Sequence, residues 1–360
     1  MKILDRYLVK QFLQTVLFGV IAFALIFVII DMMEHLDEFI DEDVPGNIII
    51  QYYFAFIPEI IRLMIPVAVL LSGLFVAGKM SNLNELTAIK SCGVSLYRFM
   101  TPFILTALFI SIISVYFGGY VVPLANKHKV NIERLYMRKD VIHSGMNIVF
   151  QDSQTRIVTI ASYNVGSNQA HRVSIQDFDK NDLTKMIERF DAERMKYDTL
   201  ENIWVMYKIV QREFTDESEV SNSFSEYKFP DLNFSPGEVV SKQRKNEEMS
   251  LSELSDFADS QIRSGNDPTR VLIEYHSRFA FAFASVITVL FGLPISANKR
   301  RGGLAVQFGI NLLITFFYLV FMKISQAFGK NGVLNPFLTA WFANFVFLAA
   351  AILNVIRARK

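Results

Sequence analysis

Apolar positions along this chain gather into six long runs, and polar positions gather into one block, about residues 125–270, between the third run and the fourth. No charged residue interrupts the stretches from Lys10 to Asp31, Arg98 to Lys127, Arg278 to Lys299, Arg301 to Lys323 or Lys330 to Arg357. A bilayer core about 30 Å thick takes about 20 residues of helix, and a helix satisfies its own backbone there. These runs therefore predict membrane spans one, three, four, five and six. Span two, near Ile48–Val76, differs in carrying Glu59, Arg62, Pro58 and Pro66. An Ala22-Phe23-Ala24 signal-cleavage match is set aside, because the apolar run continues well past it. The stretch Ile3–Lys10 mixes apolar and basic residues and is expected to lie along the membrane surface before the chain turns in.

Inside the polar block the period changes from helix to strand. Ile157–Ile160, Arg172–Ile175, Met186–Tyr197 and Trp204–Val210 are rich in branched or aromatic residues, and Asn, Asp, Gly and Ser separate them. Alternation along Phe190–Tyr197 is period two but imperfect. The pattern predicts an all-β domain of sandwich or jelly-roll type. Ser250-Leu251-Ser252-Glu253 matches a capping box and predicts a short helix to about Arg263. The fold class expected is thus an α-helical membrane protein with six transmembrane helices and an inserted all-β, jelly-roll-like domain. The parts are 1–124 (an interfacial helix, spans one to three, and a connecting helix at about 81–93), 125–270 (the β domain) and 271–360 (spans four to six).

Composition agrees: 52% hydrophobic residues and 33 Phe exceed what an ordinary soluble domain carries, yet 20% of residues are charged. The net charge of +1 gives no sign of a nucleic-acid partner, and the single cysteine, Cys92, rules out a disulfide framework. Charge is segregated instead. Lys2, Arg6 and Lys10 precede span one; Lys79, Lys90 and Arg98 lie between two and three; Lys299, Arg300 and Arg301 lie between four and five; Arg357, Arg359 and Lys360 follow six. The opposite short loops hold Lys330 and an acidic run, Asp31, Glu34, Asp37, Glu38, Asp41, Glu42 and Asp43. By the positive-inside rule both termini are cytoplasmic and the β domain lies on the far side.

Few motifs carry chemistry. Gly73–Lys79 opens like a phosphate-binding loop, but Met80 stands where a Mg²⁺-binding hydroxyl is needed, and a membrane span runs into it. His143 and His171 are isolated. No catalytic residue, metal site or cofactor is expected. Ser81–Gly93 reads as a short helix across the cytoplasmic face, a surface for a partner or a plain connector. Charges at membrane depth are costly. Glu59 and Arg62, three apart, are placed to neutralise each other; Arg278 and Lys323, near span ends, either snorkel to the interface or meet an anionic head group.

Leu4-Asp5-Arg6-Tyr7, Asn84-Glu85-Leu86 closing at Gly93, the segment from Phe308-Gly309-Ile310 to Phe328-Gly329, and the three-plus-three layout resemble the lipopolysaccharide-export permeases (the LptF/LptG, or YjgP/YjgQ, family), the opening and the loop looking more like the LptG branch. The resemblance implies one permease half of an ABC transporter in the bacterial inner membrane, not itself an ATPase. It would pair with a paralogous or identical permease subunit, and spans one and five would face a central cavity. Its partners would be a cytoplasmic ATP-binding subunit dimer, lipopolysaccharide, and a periplasmic jelly-roll bridge protein. The ATPase would dock at Asn84, Glu85, Ala88 and Gly93. The family's basic residues near the outer end of span one are replaced here by Asp31, Glu34, His35 and Asp37, so Arg62, Arg278 and Lys323 become the head-group candidates. Two other functions compete: a membrane scaffold or sensor whose exported β domain binds a lipid or protein ligand, and an intramembrane enzyme built on Glu59 and a histidine. The first lacks a cytoplasmic segment long enough for output; the second lacks an HExxH or Ser–His pairing.

Overall fold

A computed structural model describes residues 3–137, 148–164, 167–199, 201, 203–215, 218–229, 232–243, 245–263, 266–296, 303–332 and 334–357. The chain forms two compact units, Met1–Met137 with Leu272–Lys360, and Arg138–Val271. His143 and the basic run at 299–301 lie outside the described residues.

The first unit is helical. In chain order it holds α1 (Ile3–Glu34), α2 (Leu36–Asp41), α3 (Gly46–Asn82), α4 (Glu85–Ser91) and α5 (Leu96–Tyr116), then a π-helical turn (Phe117–Val121) and α6 (Val122–Tyr136). It resumes with α9 (Thr269–Ala282), α10 (Ala284–Ser296), α11 (Gly303–Gly329) and α12 (Pro336–Arg357). Among the described residues six stretches are long and apolar enough to cross a membrane: Ile3–Glu34, Gly46–Asn82, Leu96–Tyr136, Thr269–Pro294, Phe308–Gly329 and Pro336–Arg357. The third is 41 residues long, about 60 Å at 1.5 Å per residue, twice a hydrocarbon core.

One expectation fails at the start of the chain. Ile3–Lys10 does not turn; it forms the first two turns of a continuous α1. Leu4 and Leu8 face protein, Leu8 in the core with Met80, Leu96 and Phe103, while Ile3 and Tyr7 stay exposed. The phosphate-loop look-alike is likewise no loop. Gly73–Lys79 is the interior of α3, where Gly73 lies against Leu293 and Phe12.

The second unit is built on six antiparallel strands paired in sequence order: β1 (Ile148–Ser153), β2 (Arg156–Asn164), β3 (Gln169–Phe178), β4 (Met186–Asp198), β5 (Ile203–Thr215) and β6 (Ser218–Phe229). Helices α7 (Pro236–Gln243) and α8 (Leu251–Arg263) follow. The capping box is present: Ser250 Oγ accepts from Glu253 N at 3.2 Å, and Glu253 Oε2 accepts from Ser250 N at 2.7 Å.

A crease crosses this sheet. Pairing skips Ala161–Arg172, Arg172–Glu193, Glu193–Lys208 and Lys208–Ser225, while the rows on both sides are paired. Arg172 and Lys208 have left-handed backbones, φ 49° and 53°. The buried positions change parity across the crease: Val158 and Ile160 then Tyr163; Ala170 then Val173 and Ile175; Phe190 and Ala192 then Met195; Trp204 and Met206 then Ile209. One unpaired residue in each strand, facing an unpaired residue of its neighbour with no shift of register, switches the inward parity so that one face stays inside on both sides of the crease. This accounts for the imperfect alternation along Phe190–Tyr197. One sheet, creased, builds one core around Trp204, whose Nε1 donates to the Phe234 carbonyl at 2.8 Å.

Candidate functional sites in the helical unit

Helix α4 sits between two tight chain reversals. Asn84, with φ 59°, ends α3 by donating its N–H to the Ser81 carbonyl at 3.2 Å. Its own carbonyl then accepts from Ala88 N at 3.0 Å and starts α4. Asparagine is among the few residues that adopt this conformation readily. At the far end Gly93, with φ 81°, donates to the Lys90 carbonyl, and Val94 donates to that of Ile89. This is a Schellman closure, which favours glycine. The helix is therefore shorter than the 81–93 expected, because α3 continues to Asn82. Leu86, 3% exposed, packs into the core with Leu8, Met80 and Leu96, and Ile89 lies against the same core. Asn84, Thr87, Ala88 and Gly93 are exposed and Glu85 is half-buried. Of the four docking candidates, Glu85 and Ala88 contribute side chains to the outward surface; Asn84 and Gly93 also set the shape that presents it.

The head-group candidates divide. Arg62 Nη2 donates to Glu59 Oε1 at 2.6 Å, and Asn126 Nδ2 donates to the other Glu59 oxygen at 3.4 Å. Arg278 lies 3.6 Å from Glu274, with a side chain 3% exposed. Arg62 and Arg278 line one small cavity, an association their separation of 216 positions did not signal. Lys323 is apart from them and exposed on α11.

A larger cleft lies between α1 and α3, with Phe308 of α11 on its wall. It has a volume of about 570 Å³. Phe18, Ala22, Phe23 and Ile26 make its apolar part, while Gln11, Gln14 and Lys79 give it a polar end. Beyond the cleft, α1 and α11 leave large apolar side chains uncovered, among them Leu25, Ile29, Leu313, Phe316 and Phe317. Such faces are normal toward lipid, and they are also where a second bundle would pack.

Comparison with known proteins decides the family. The family described as lipopolysaccharide export system permease LptF/LptG matches residues 6–357. This chain belongs to that family. Among curated relatives, the lipopolysaccharide export system permease protein LptF of Escherichia coli (strain K12) is 22% identical over 97% of this chain and 93% of its own length. The LptF protein of Shigella flexneri matches equally. The LptG protein of Escherichia coli (strain K12) is 19% identical over 93% of this chain and 94% of its own length. Both branches are matched nearly end to end, LptF at 22% identity and LptG at 19%, so the lean toward the LptG branch expected from the opening and loop is not what the whole-chain match favours.

Proposed function

We propose that this LptF/LptG-family chain is one permease half of a lipopolysaccharide exporter, driven by a separate cytoplasmic ATPase. The observation that carries the reading is the family match over 6–357, joined to the apolar cleft between the first two spans with the fifth on its wall. A multi-acyl lipid cannot cross water unshielded, since each exposed methylene costs about 0.8 kcal/mol. The cleft and the uncovered faces of α1 and α11 supply apolar surface where a second permease half would close a cavity. The Lys and Arg bias of the short flanks supports cytoplasmic termini and a periplasmic β unit. The exposed face of α4 supports docking of the ATP-binding subunits on Glu85 and Ala88. Lys323 is the exposed candidate for an anionic head group, whereas Arg62 and Arg278 lie inside the bundle, each beside a carboxylate.

A route onward lies at one sheet edge. The β1 edge is covered: Asn266 Nδ2 donates to the Gln151 carbonyl at 3.0 Å, and Asp152 accepts from Asn233 N at 2.9 Å. Strand β6 is exposed along its length except at Phe229. An open edge is a template for strand addition, and β6 is the edge on which a periplasmic bridge of similar fold would pair.

Photo-crosslinkers at Phe18 and Phe316 in the assembled transporter test the reading. Adducts of lipopolysaccharide at both positions, lost when Lys323→Glu is introduced at the head-group end, are the expected result. Labelling by bulk phospholipid alone would overturn it.

A further inference from the structure

The cavity shared by Arg62 and Arg278 lies where α3, α5 with its π turn, and the α9–α10 span meet. Its volume is about 10 Å³, room for one water-sized occupant. The polar side chains on its wall are Arg62, Arg278, Ser114 and Ser285. Neither carboxylate partner, Glu59 or Glu274, lies on that wall; each holds its arginine elsewhere. Two positive groups therefore face one void at membrane depth, where like charges are poorly screened.

Three donors at this place have no hydrogen-bond partner: Arg62 Nε, Ser114 Oγ and Ser285 Oγ. Ser285 is fully buried and Ser114 is 9% exposed. A serine in a helix ordinarily bonds the carbonyl four residues back, as the threonine at 106 does with Pro102 at 2.7 Å. Ser114 and Ser285 make no such bond. A buried donor left unmet costs about 1–3 kcal/mol, so three around one void point to an occupant that accepts from all of them. The π turn makes the space, since a Cβ on Gly118 would stand 3.2 Å from Arg62 Cδ.

We propose that this cavity binds a single monatomic anion, of the chemical class of chloride, between Arg62, Arg278, Ser114 and Ser285. A halide only accepts hydrogen bonds and offsets the facing guanidinium groups. A water there could place its protons only on the two serine oxygens, since the guanidinium groups accept nothing, whereas a halide accepts from all four side chains.

The test uses the full chain in its assembled complex, in lipid nanodiscs. Thermal unfolding is followed in sodium chloride and in sodium gluconate at equal ionic strength. Binding to the folded state alone raises the midpoint with chloride along a one-site saturation curve, by about 2–4 °C at saturation. The double variant Ser114→Ala/Ser285→Ala keeps both ion pairs and is expected to lose the chloride response. Bromide in place of chloride should give an anomalous scattering peak within the cavity. Equal midpoints in the two salts, an undiminished response in the double variant, or water alone in the cavity would each overturn the assignment.

Discussion

Arg98 Nη2 lies 2.7 and 2.8 Å from the two carboxylate oxygens of Asp5, joining the first turns of α1 and α5. The pair sits just beyond α4. Ser95 Oγ caps α5 by accepting from Arg98 N at 3.3 Å, and Leu86 of α4 packs on the same core as Leu8. A push on α4 thus has a short, packed path to span one. Replacing Arg98 by Gln is expected to lower lipid exported per ATP hydrolysed several-fold in proteoliposomes, with the ATPase still bound. The charge-swapped double variant Asp5→Arg/Arg98→Asp should recover part of the coupling. An unchanged export-to-hydrolysis ratio in Arg98→Gln would remove this pair from the relay.

The two faces of α4 should respond differently. Leu86→Ala opens a void in a packed core and is expected to cost about 2–5 kcal/mol, read as a lower unfolding midpoint together with loss of the co-purifying ATPase. Thr87→Ala, on the exposed side, should change stability by no more than about 0.5 kcal/mol. Glu85→Lys should release the ATPase while the midpoint stays put. Retention of the ATPase by Glu85→Lys would move the docking surface away from α4.

The crease in the sheet gives a backbone prediction. Arg172 has φ 49°, which a β-branched side chain tolerates poorly. Arg172→Val is expected to cost about 1–2 kcal/mol, and Arg172→Gly should be much milder. Urea unfolding followed by fluorescence reads this, because Trp204 is one of two tryptophans and lies in the β unit's core. Equal losses in the two variants would show that the side chain, not the backbone, matters there.

At the same crease Lys208 Nζ donates to Glu193 Oε2 at 2.6 Å. That hydrogen bond, then the charge of Lys208, holds the Glu193 carboxyl below its usual 4.5. A depressed carboxylate contributes stability above its unfolded pKa and loses it as pH falls through the folded value. The contribution of this pair should therefore be intact at neutral pH and disappear only on acidification below 4.5. NMR titration of Glu193 should move upward in Lys208→Met. An unmoved titration would mean that the carboxyl is set by other neighbours.

What the sequence showed and what it hid follow from range. Spans are properties of one segment meeting one solvent, so charge-free runs announced five of the six, and span two was legible from its apolar length despite Glu59 and Arg62. The capping box at Ser250 and Glu253 was equally local. Strand β6 escaped because Ser218–Phe229 is mostly Ser, Glu and Asn on an exposed edge, with no buried face to impose alternation. Phe190–Tyr197 read as a flawed strand because the crease shifts its inward parity at Glu193. Gly93 carried a helix-end signal, but the end of α3 at Asn82 is decided by the backbone bond that Asn84 makes. The meeting of Arg62 with Arg278 belongs to helix packing, which no spacing along the chain encodes.

The π turn at Phe117–Val121 holds one amino acid more than an α-helix would need there. Remove it and everything from Val122 to Tyr136 swivels by about 100°. Ile132 would then leave the aromatic nest it shares with Phe39 and Tyr52. The length of this stretch is consequently held as firmly as its chemistry. A relative that lacks the wide turn must either aim the distal half of this rod elsewhere or restore the missing rotation farther along.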